Sequence, residues 1–582
     1  MLRWQSSLLL LALVAGRAFG GIQSDAATGD ATKADAVKSA FSKAFNDYKT
    51  YCFGHDQLNP LSKTCSDDLG GWGASVIDAQ STAKIMGLET IYNQAVAQSL
   101  WTDYTKTSSS TISVFETTIR HVGGLLSSYE LGGKVNKKLV DQAVIVGDRL
   151  LHGWINGLDL PYNSLTNWST NPQPKTDSNA IIAETGTLVL EFDRLSKYSG
   201  NDTYRQYAVK AMKATIDSSP LPFPGLNPQG IDPKTGKPTG DYITWGGGSD
   251  SFFEYELKYG QLIGSTSIYI PAWVRAVNSS IAHLLTTAGD TEKSNLTYLA
   301  DYSASHGGLI SRGSHLECFH GGNWLLGGKM LENDAIVKHG LHLTEACINT
   351  YTSSATGIGP ESFVYKTASG SANHVNVSNT EFYRTNGFDY DARMYVLRPE
   401  VLESVFYAYR ITGEKKWQSA AWTAFNNLKK YCGGGLSFAA INDVSTVNTF
   451  HIDDSESFLF AELFKYMYLT FADPSVLSLD EYVFNTEAHP FKLDRPRQSY
   501  SSLNPGTDLA RPAAVSQKQK STASAASSTS RSKTASVPLP KFSSNPLEGS
   551  IVSSILKKFL GGGAGSHAVE QKRLHMDGYS YN

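Results

Sequence analysis

The segment FETTIRHVGGLLSSYELGG, Phe115–Gly133, has the pattern that decides the fold. It opens with an acid, runs for about four turns with apolar residues at helical spacing, and stops at glycines after an aromatic. The same pattern recurs in ETGTLVLEFDRLSKYSGND (184–202), DSFFEYELKYGQLIG (250–264), PEVLESVFYAYRITGEKKW (399–417) and SESFLFAELFKYMYLTFAD (455–473). Helices that are apolar nearly all round are buried on every side. The sequence therefore predicts a set of interior helices.

Helices with one polar face lie between several of these segments. Examples are KKLVDQAVIVGDRLLHGW (137–154) and KKWQSAAWTAFNNLKKYC (415–432). Alternation of the two kinds predicts an inner and an outer layer of a helical barrel. We therefore predict an all-α fold, with YITWGGGSD (242–250) and GGGLSFAAIND (433–443) as small hairpin or loop excursions.

The two ends of the chain depart from this pattern. Residues 1–20 combine Arg3, a short apolar run and a small-residue exit at Gly20, which predicts a secretory signal peptide rather than a membrane span. Residues 33–491 keep a core-forming pattern, and we predict that they form the barrel. Residues 492–582 are rich in Ser, Thr and Lys and predict a disordered tail.

Composition indicates an ordinary globular protein of the secretory pathway. The 582 residues include 51 basic and 54 acidic ones, so the charge of −3 gives no reason to expect nucleic acid or an anionic membrane as a partner. The 29 Tyr, 25 Phe and 10 Trp suit a core and also suit sugar-binding surfaces. We expect a secreted or lumenal protein and leave endoplasmic reticulum, Golgi and vacuole open. Five Asn-X-Ser/Thr triplets agree with this compartment, at Asn167, Asn201, Asn278, Asn295 and Asn376.

The five cysteines allow two disulfides. Cys52 and Cys65 flank one loop, and Cys318 and Cys347 flank a Gly-rich and then helical segment. Cys432 is left over, and we expect a buried free thiol there.

Acidic residues recur near the openings of the apolar helices. Three pairs share a helix face because their members are three or four residues apart: Glu116 with Arg120, Asp250 with Glu254, and Glu400 with Glu403. Each acid could be a first-turn residue that the helix dipole stabilises by about 0.3–1 kcal/mol. A carboxylate among Phe, Tyr and Leu, however, costs several kcal/mol unless it is paired or hydrated. If the helix openings converge, the acids line one cavity suited to glycoside hydrolysis.

The segment VFNTEAHP (483–490) places Thr486, Glu487 and His489 side by side. A zinc site, a buried hydrogen-bonded turn and a site for a harder metal are the alternatives. Zinc is the weaker one, because one Glu and one His without partners at ligand spacing do not make a site. We expect His489 to be packed and hydrogen-bonded.

Nine motifs in order resemble class I α-mannosidases, glycoside hydrolase family 47. They are GWGASVIDAQSTAKIM, FETTIRHVGGLLSSYEL, AETGTLVLEF, GGSDSFFEY, HLECFHGGN, GIGPESF, LRPEVLES, SFLFAELFKYMYL and VFNTEAHPF. The resemblance runs from about Tyr48 to Phe491 and is nearest to secreted fungal members. It implies an (α/α)7 barrel that trims α-1,2-linked mannose from high-mannose N-glycans (Man9 toward Man5), with inversion and a bound Ca²⁺. It also implies a monomer without a membrane span.

The resemblance also implies roles for individual residues. Glu116 is the general acid, acting through water, Asp250 is a second candidate acid, and Glu400 is the base, so the carboxyls of Glu116 and Glu400 should lie about 6.5–9.5 Å apart. Glu361 belongs with this catalytic set. Sugar-contacting or supporting positions are Arg120, Glu254, Arg398, Glu403, Phe458, Glu462 and Glu487, and Cys318 pairs with Cys347.

The resemblance assigns the metal to the turn at the barrel floor. Thr486 offers its carbonyl and hydroxyl oxygens to Ca²⁺, which takes 6–8 oxygen ligands. We expect this turn to close the last inner helix pair.

Two other functions remain open. A lectin-like quality-control relative would bind the glycan with little turnover, and another α/α-barrel enzyme would act on glucans or uronic acids. The presence of Glu116, Asp250, Glu400 and Thr486 favours the mannosidase. Three residues differ from many family members: Gln80 and Ser81 replace Leu and Asp, and Ser455 replaces Met. We expect these differences to affect the fit of the substrate rather than activity.

Overall fold

The computed structural model describes residues 21–176, 179–264, 268–293 and 296–494. The predicted signal peptide and nearly all of the predicted tail lie outside these residues, as does Asn295. Among the other glycosylation acceptors, Asn167, Asn201 and Asn376 are exposed, whereas Asn278 is half-buried.

Long α-helices make up the body of the described chain. Short π-helical turns, Thr117–Val122 and Leu459–Leu463, lead into two of them, and 3-10 turns lie at Leu151–Gly153 and Leu316–Cys318. In chain order the α-helices are α1 (Ala31–Cys52), α2 (Ala74–Ile85), α3 (Glu89–Trp101), α4 (Val114–Glu116), α5 (Gly123–Leu131), α6 (Lys138–Leu150), α7 (Ile182–Gly186), α8 (Val189–Ser199), α9 (Thr203–Ile216), α10 (Asp250–Ile263), α11 (Tyr269–His283), α12 (Phe319–Met330), α13 (Asp334–Thr352), α14 (Thr380–Asn386), α15 (Glu400–Thr412), α16 (Lys415–Tyr431) and α17 (Phe464–Phe471).

Burial separates the long helices into two alternating layers. Helices α2, α5, α8, α10, α12, α15 and α17 are buried almost all round, whereas α1, α3, α6, α9, α11, α13 and α16 bury one face. Each inner helix packs on an outer neighbour, and α17 packs on α1, so the described residues form seven inner–outer pairs in a closed ring. This confirms the predicted (α/α)7 barrel. Because an outer helix returns the chain between successive inner helices, the inner helices run parallel and begin at the same end.

Short antiparallel strands occupy the connections, as the sequence predicted. Residues 242–250 contribute one strand, which pairs with residues 301–303, and residues 433–443 form only isolated bridges. The strands are β1 (Gln57–Asn59), β2 (Thr64–Ser66), β3 (Thr111–Ser113), β4 (Ser164–Thr166), β5 (Gln173–Pro174), β6 (Ala180–Ile181), β7 (Gly230–Ile231), β8 (Pro238–Thr239), β9 (Tyr242–Ile243), β10 (Leu285–Thr287), β11 (Thr297–Leu299), β12 (Asp301–Ser303), β13 (Gly308–Ile310), β14 (Arg312–Ser314), β15 (Ser362–Val364), β16 (Asp389–Ala392), β17 (Tyr482–Phe484) and β18 (Pro490–Lys492).

The segment VFNTEAHP is a β-hairpin, and the expectation that it closes a helix pair is wrong. Strands β17 and β18 pair antiparallel after α17, and the tip, residues 485–489, lies inside the helix ring. Asn485 Nδ2 donates to the Ile119 carbonyl at 2.9 Å and to Glu191 Oε1 at 2.8 Å, which joins the tip to two inner helical segments. A Cβ on Gly123 would lie 2.7 Å from this nitrogen, so glycine admits the tip. The hairpin therefore closes one end of the barrel.

The five cysteines form two disulfides and leave one free thiol. Cys52 pairs with Cys65, Cys318 pairs with Cys347, and Cys432 is a buried free thiol whose pKa is raised by burial. Disulfides are typical of oxidising compartments. Within the described ranges, no helix combines the length and apolarity needed to cross a bilayer.

Candidate active site

Three carboxyl groups stand where inner helical segments begin. Asp250 and Glu400 are the first residues of α10 and α15, and Glu116 ends α4, directly before the π-helical turn that leads into α5. Because the inner helices begin at the same end, these acids lie at one end of the space that the helix ring encloses, which is called the cavity below. Their charges also interact, since Glu400 contributes to raising the pKa of Asp250. The predicted convergence of the helix openings is therefore observed.

Arg120 organises one side of this cavity. Its Nε donates to Glu116 Oε2 at 2.9 Å, and its Nη1 donates to Glu487 Oε1 at 2.5 Å. The same nitrogen also donates to Asp78 Oδ2 at 3.2 Å, and the guanidinium lies 5.9 Å from the centre of the Phe458 ring. Burial, the largest single effect, raises the pKa of Asp78, but the contact with His489 and the charge of Arg120 outweigh it and bring the pKa down to about 2. Arg120 thus links Glu116 near the cavity mouth to Glu487 at the hairpin tip.

Glu400 is held as a carboxylate. His315 Nδ1 lies 2.7 Å from Glu400 Oε2, and His315 Nε2 lies 2.7 Å from the Tyr351 hydroxyl. Burial, the largest single effect, raises the pKa of Glu400, but His315 and Arg398 outweigh it and leave the pKa below its ordinary value. A carboxylate of low pKa can accept a proton from water as a general base.

The environment of Asp250 raises its pKa, whereas that of Glu400 lowers it. Burial raises the pKa of Asp250 to about 7, and the charges of Glu254 and Glu400 act in the same direction, against a hydrogen bond from the Ser251 N–H at 2.9 Å. Asp250 therefore keeps its proton in mildly acidic solution, where Glu400 has lost its own. Two carboxyls whose environments move their pKa values apart are the pattern of an acid and a base.

Arg398 joins Glu361 to the same region. Its Nε lies 2.8 Å from both carboxylate oxygens of Glu361, and this contact holds both side chains. Glu361 therefore forms an ion pair with Arg398, and this contact positions its side chain. The contrast in pKa between an acid and a base lies in Asp250 and Glu400 instead.

A deeper layer of acids lies about one helical turn below. Glu254 pairs with Lys258, and Glu403 accepts a hydrogen bond from the Tyr466 hydroxyl at 3.1 Å. Burial raises the pKa of Glu403 to about 8, and burial together with the charge of Glu487 raises the pKa of Glu462. Glu403 and Glu462, when protonated, can both donate to and accept from hydroxyl groups.

Thr486 lies at the floor of the cavity. Among tip residues 485–489 it alone is not buried, and its N–H lies 3.2 Å from the Tyr255 hydroxyl. Within the described residues, no hydrogen bond engages its hydroxyl or carbonyl oxygen. Two free oxygens beside acidic side chains suit a hard cation that keeps water or sugar hydroxyls as further ligands. No cluster of three or more His, Cys, Asp or Glu side chains in the described part of the chain is placed to hold a metal.

His489 is a packed histidine, as predicted. Its Nδ1 lies 3.0 Å from the Ser81 hydroxyl and its Nε2 lies 3.5 Å from Asp78 Oδ1. Burial lowers its pKa to about 4.

Sequence reasoning missed several residues that support the site. His315, Asp78 and Tyr255 lie within the quoted motifs but have no predicted role, and neither does Lys258. The only signal for Lys258 is its spacing of four residues from Glu254. His315 contacts Glu400 across 85 positions of sequence, a pairing that no local pattern marks.

An (α/α)7 barrel with a closed floor and two carboxyls of contrasting pKa at its helix openings is compatible with a glycoside hydrolase. The family model described as glycosyl hydrolase family 47 matches residues 40–493, and the chain belongs to that family.

Named relatives and a solved structure agree with this assignment. The mannosyl-oligosaccharide alpha-1,2-mannosidase 1B of Aspergillus oryzae is 40% identical over 482 residues, which cover 79% of this chain and 92% of the relative. The protein of the same name from Emericella nidulans is 39% identical over 515 residues, 84% of this chain and 100% of the relative. The solved alpha-1,2-mannosidase from Trichoderma reesei has a TM-score of 0.76 and 35% identity, and covers 80% of this chain and 100% of its own.

Proposed function

We propose that this protein is an inverting, calcium-dependent exo-α-1,2-mannosidase that trims high-mannose N-glycans from Man9 toward Man5. The proposal is supported by the contrast between Asp250, whose pKa burial raises to about 7, and Glu400, whose pKa His315 and Arg398 hold below its ordinary value against burial, in a barrel whose floor the hairpin closes. A closed floor admits only the end of a chain, which supports exo-cleavage. Membership in family 47 and the printed names of the relatives supply the linkage and the sugar.

The proposed reaction is a single displacement. Glu400 takes a proton from water while the water oxygen attacks the anomeric carbon of the terminal mannose. The bond from that carbon to the leaving oxygen breaks, and the leaving oxygen receives a proton from Asp250, or from Glu116 through a bridging water. The layer formed by Glu254, Glu403, Glu462 and Glu487 would bind the hydroxyls of the terminal mannose.

The chain offers a place for Ca²⁺ at the floor. Thr486 would hold it through its two free oxygens, and when bound it supplies a positive charge that orients sugar hydroxyls. Glu191 and Tyr255 keep the tip in place for this role, because the Tyr255 hydroxyl donates to Glu191 Oε1 at 2.6 Å and also meets Thr486.

We further propose that the enzyme works as a monomer within the secretory pathway. The two disulfides and the exposed glycosylation acceptors support this setting.

The direct test is incubation of the purified protein with Man9 glycan, followed by mass spectrometry. We expect stepwise loss of single hexoses and free mannose as the sole released sugar. The Glu400→Gln variant should bind the glycan in calorimetry without releasing mannose. Binding without release by the wild-type protein would favour the lectin-like alternative, and release of oligosaccharide fragments would exclude exo-cleavage.

A further inference from the structure

The hairpin β1–β2, which a disulfide closes, has no part in the proposed chemistry. It forms hydrogen bonds with the loop that leads into the last inner helical segment, the π-helical turn Leu459–Leu463 and α17. The Leu61 N–H donates to Asp453 Oδ1 at 2.7 Å at the hairpin tip. Gln57, only 2% exposed, donates from Nε2 to Glu456 Oε2 at 2.5 Å. The Cys52–Cys65 disulfide closes the hairpin beside these contacts. The hairpin therefore fixes the orientation of Glu456.

Glu456 lies beside Arg120, because Arg120 Nη1 donates to the hydroxyl of the next residue, Ser457, at 3.0 Å. Burial lowers the pKa values of Arg120 and Arg398, but surrounding carboxylates, with Glu456 among them, raise both above the ordinary value. These arginines hold Glu116 and Glu361, so the carboxylate of Glu456 is close to the catalytic layer. Glu456 is half-buried, and among the described residues no hydrogen bond engages its Oε1. One oxygen is thus fixed by Gln57, while the other has no hydrogen bond within the described residues.

The depth of Glu456 in the cavity defines what it can contact. It precedes the start of the last inner helical segment, whereas Asp250 and Glu400 are the first residues of theirs. It also precedes Glu462 by six residues, and the π-helical turn Leu459–Leu463 lies between them, so Glu456 is nearer the mouth than Glu462. The terminal mannose would occupy the layer of Glu462 and below. Glu456 therefore lies at the level of the leaving group.

We propose that Glu456, oriented by Gln57 and the disulfide-closed hairpin, binds a hydroxyl of the mannose on the leaving-group side of the cleaved bond. This inference rests on the proposed function. A carboxylate with one free oxygen is a strong acceptor for a sugar hydroxyl, and such a charge-assisted bond contributes more than a neutral one. The contact determines affinity for an oligosaccharide and plays no part in proton transfer.

The test compares two substrates that share the terminal mannose. α-1,2-Mannobiose has a sugar leaving group, whereas α-mannosyl fluoride has a leaving group without hydroxyls. For Glu456→Gln we expect kcat/KM on the disaccharide to fall about 10- to 100-fold, the range of one lost charge-assisted hydrogen bond, mainly through KM. Turnover of the fluoride should stay within about twofold, which also shows that the variant is folded. Gln57→Leu should give the same pattern with a smaller loss.

The control is Glu345→Gln, an exposed acid on α13 that pairs with Lys416, and we expect it to leave both substrates unchanged. Equal losses on both substrates in Glu456→Gln would place the residue in the catalytic layer and overturn the inference. Unchanged kcat/KM on the disaccharide would overturn it as well. Failure of the wild-type protein to cleave either substrate would instead refute the proposed function.

Discussion

Replacement of His315 by Leu tests how the site keeps its base ionised. In the structure His315 Nδ1 lies 2.7 Å from Glu400 Oε2, and this contact helps to lower the pKa of Glu400 against the effect of burial. A hydrogen bond to a charged group contributes about 1.5–3 kcal/mol. At 1.36 kcal/mol per unit, its loss should raise the pKa of Glu400 by about 1–2 units.

The sign of the effect on activity follows from the role of Glu400. A base acts as the carboxylate, so activity is lost as pH falls through its pKa. In the wild-type protein that loss occurs below pH 4.5, the ordinary value, and in His315→Leu it should occur about 1–2 pH units higher. The assay is kcat/KM for α-1,2-mannobiose across the acid range, fitted for the acid-side pKa.

Two variants make the measurement specific. His315→Gln keeps an N–H donor and should shift the acid side less than His315→Leu. His283→Gln changes an exposed histidine of α11 that stacks on Phe223, and should shift nothing. An acid side that stays in place in His315→Leu would refute the argument that His315 keeps Glu400 ionised.

Three further predictions follow from the same geometry. Wild-type kcat/KM should fall above about pH 7 as Asp250 loses its proton, and the residual activity of Asp250→Asn should lack this fall; a retained fall would assign it to another group. Gly123→Ala should lower the free energy of unfolding by about 1–3 kcal/mol, measured by thermal denaturation, because its Cβ would meet Asn485, whereas Gly435→Ala, in open space, should be neutral. Removal of calcium with EGTA should abolish activity, and Ca²⁺ rather than Zn²⁺ should restore it; recovery with Zn²⁺ alone would contradict the assignment to Thr486.

The helix layers could be predicted from sequence because burial leaves a local periodic pattern. Five of the seven inner helices, α5, α8, α10, α15 and α17, lie in segments that are apolar nearly all round, and acids at three of the openings are visible in pairs with residues three or four positions away. Glu116 and Arg120 are such a pair, and the structure joins them at 2.9 Å.

The hairpin tip could not be predicted in the same way. Its conformation depends on residues far away in sequence, such as Gly123, Glu191 and Tyr255, which provide space and hydrogen bonds inside the ring. The link between Gln57 and Glu456 spans 399 positions and leaves no local signal. Long-range polar contacts of this kind orient the catalytic groups, and only the folded chain shows them.

The most direct test of the account is the configuration of the mannose at the moment of release. Proton NMR during the first minutes of α-1,2-mannobiose cleavage distinguishes the anomers before they equilibrate. A base and an acid on opposite sides of the bond predict β-mannose as the first product. Initial α-mannose would require a covalent intermediate and would contradict the roles of Glu400 and Asp250.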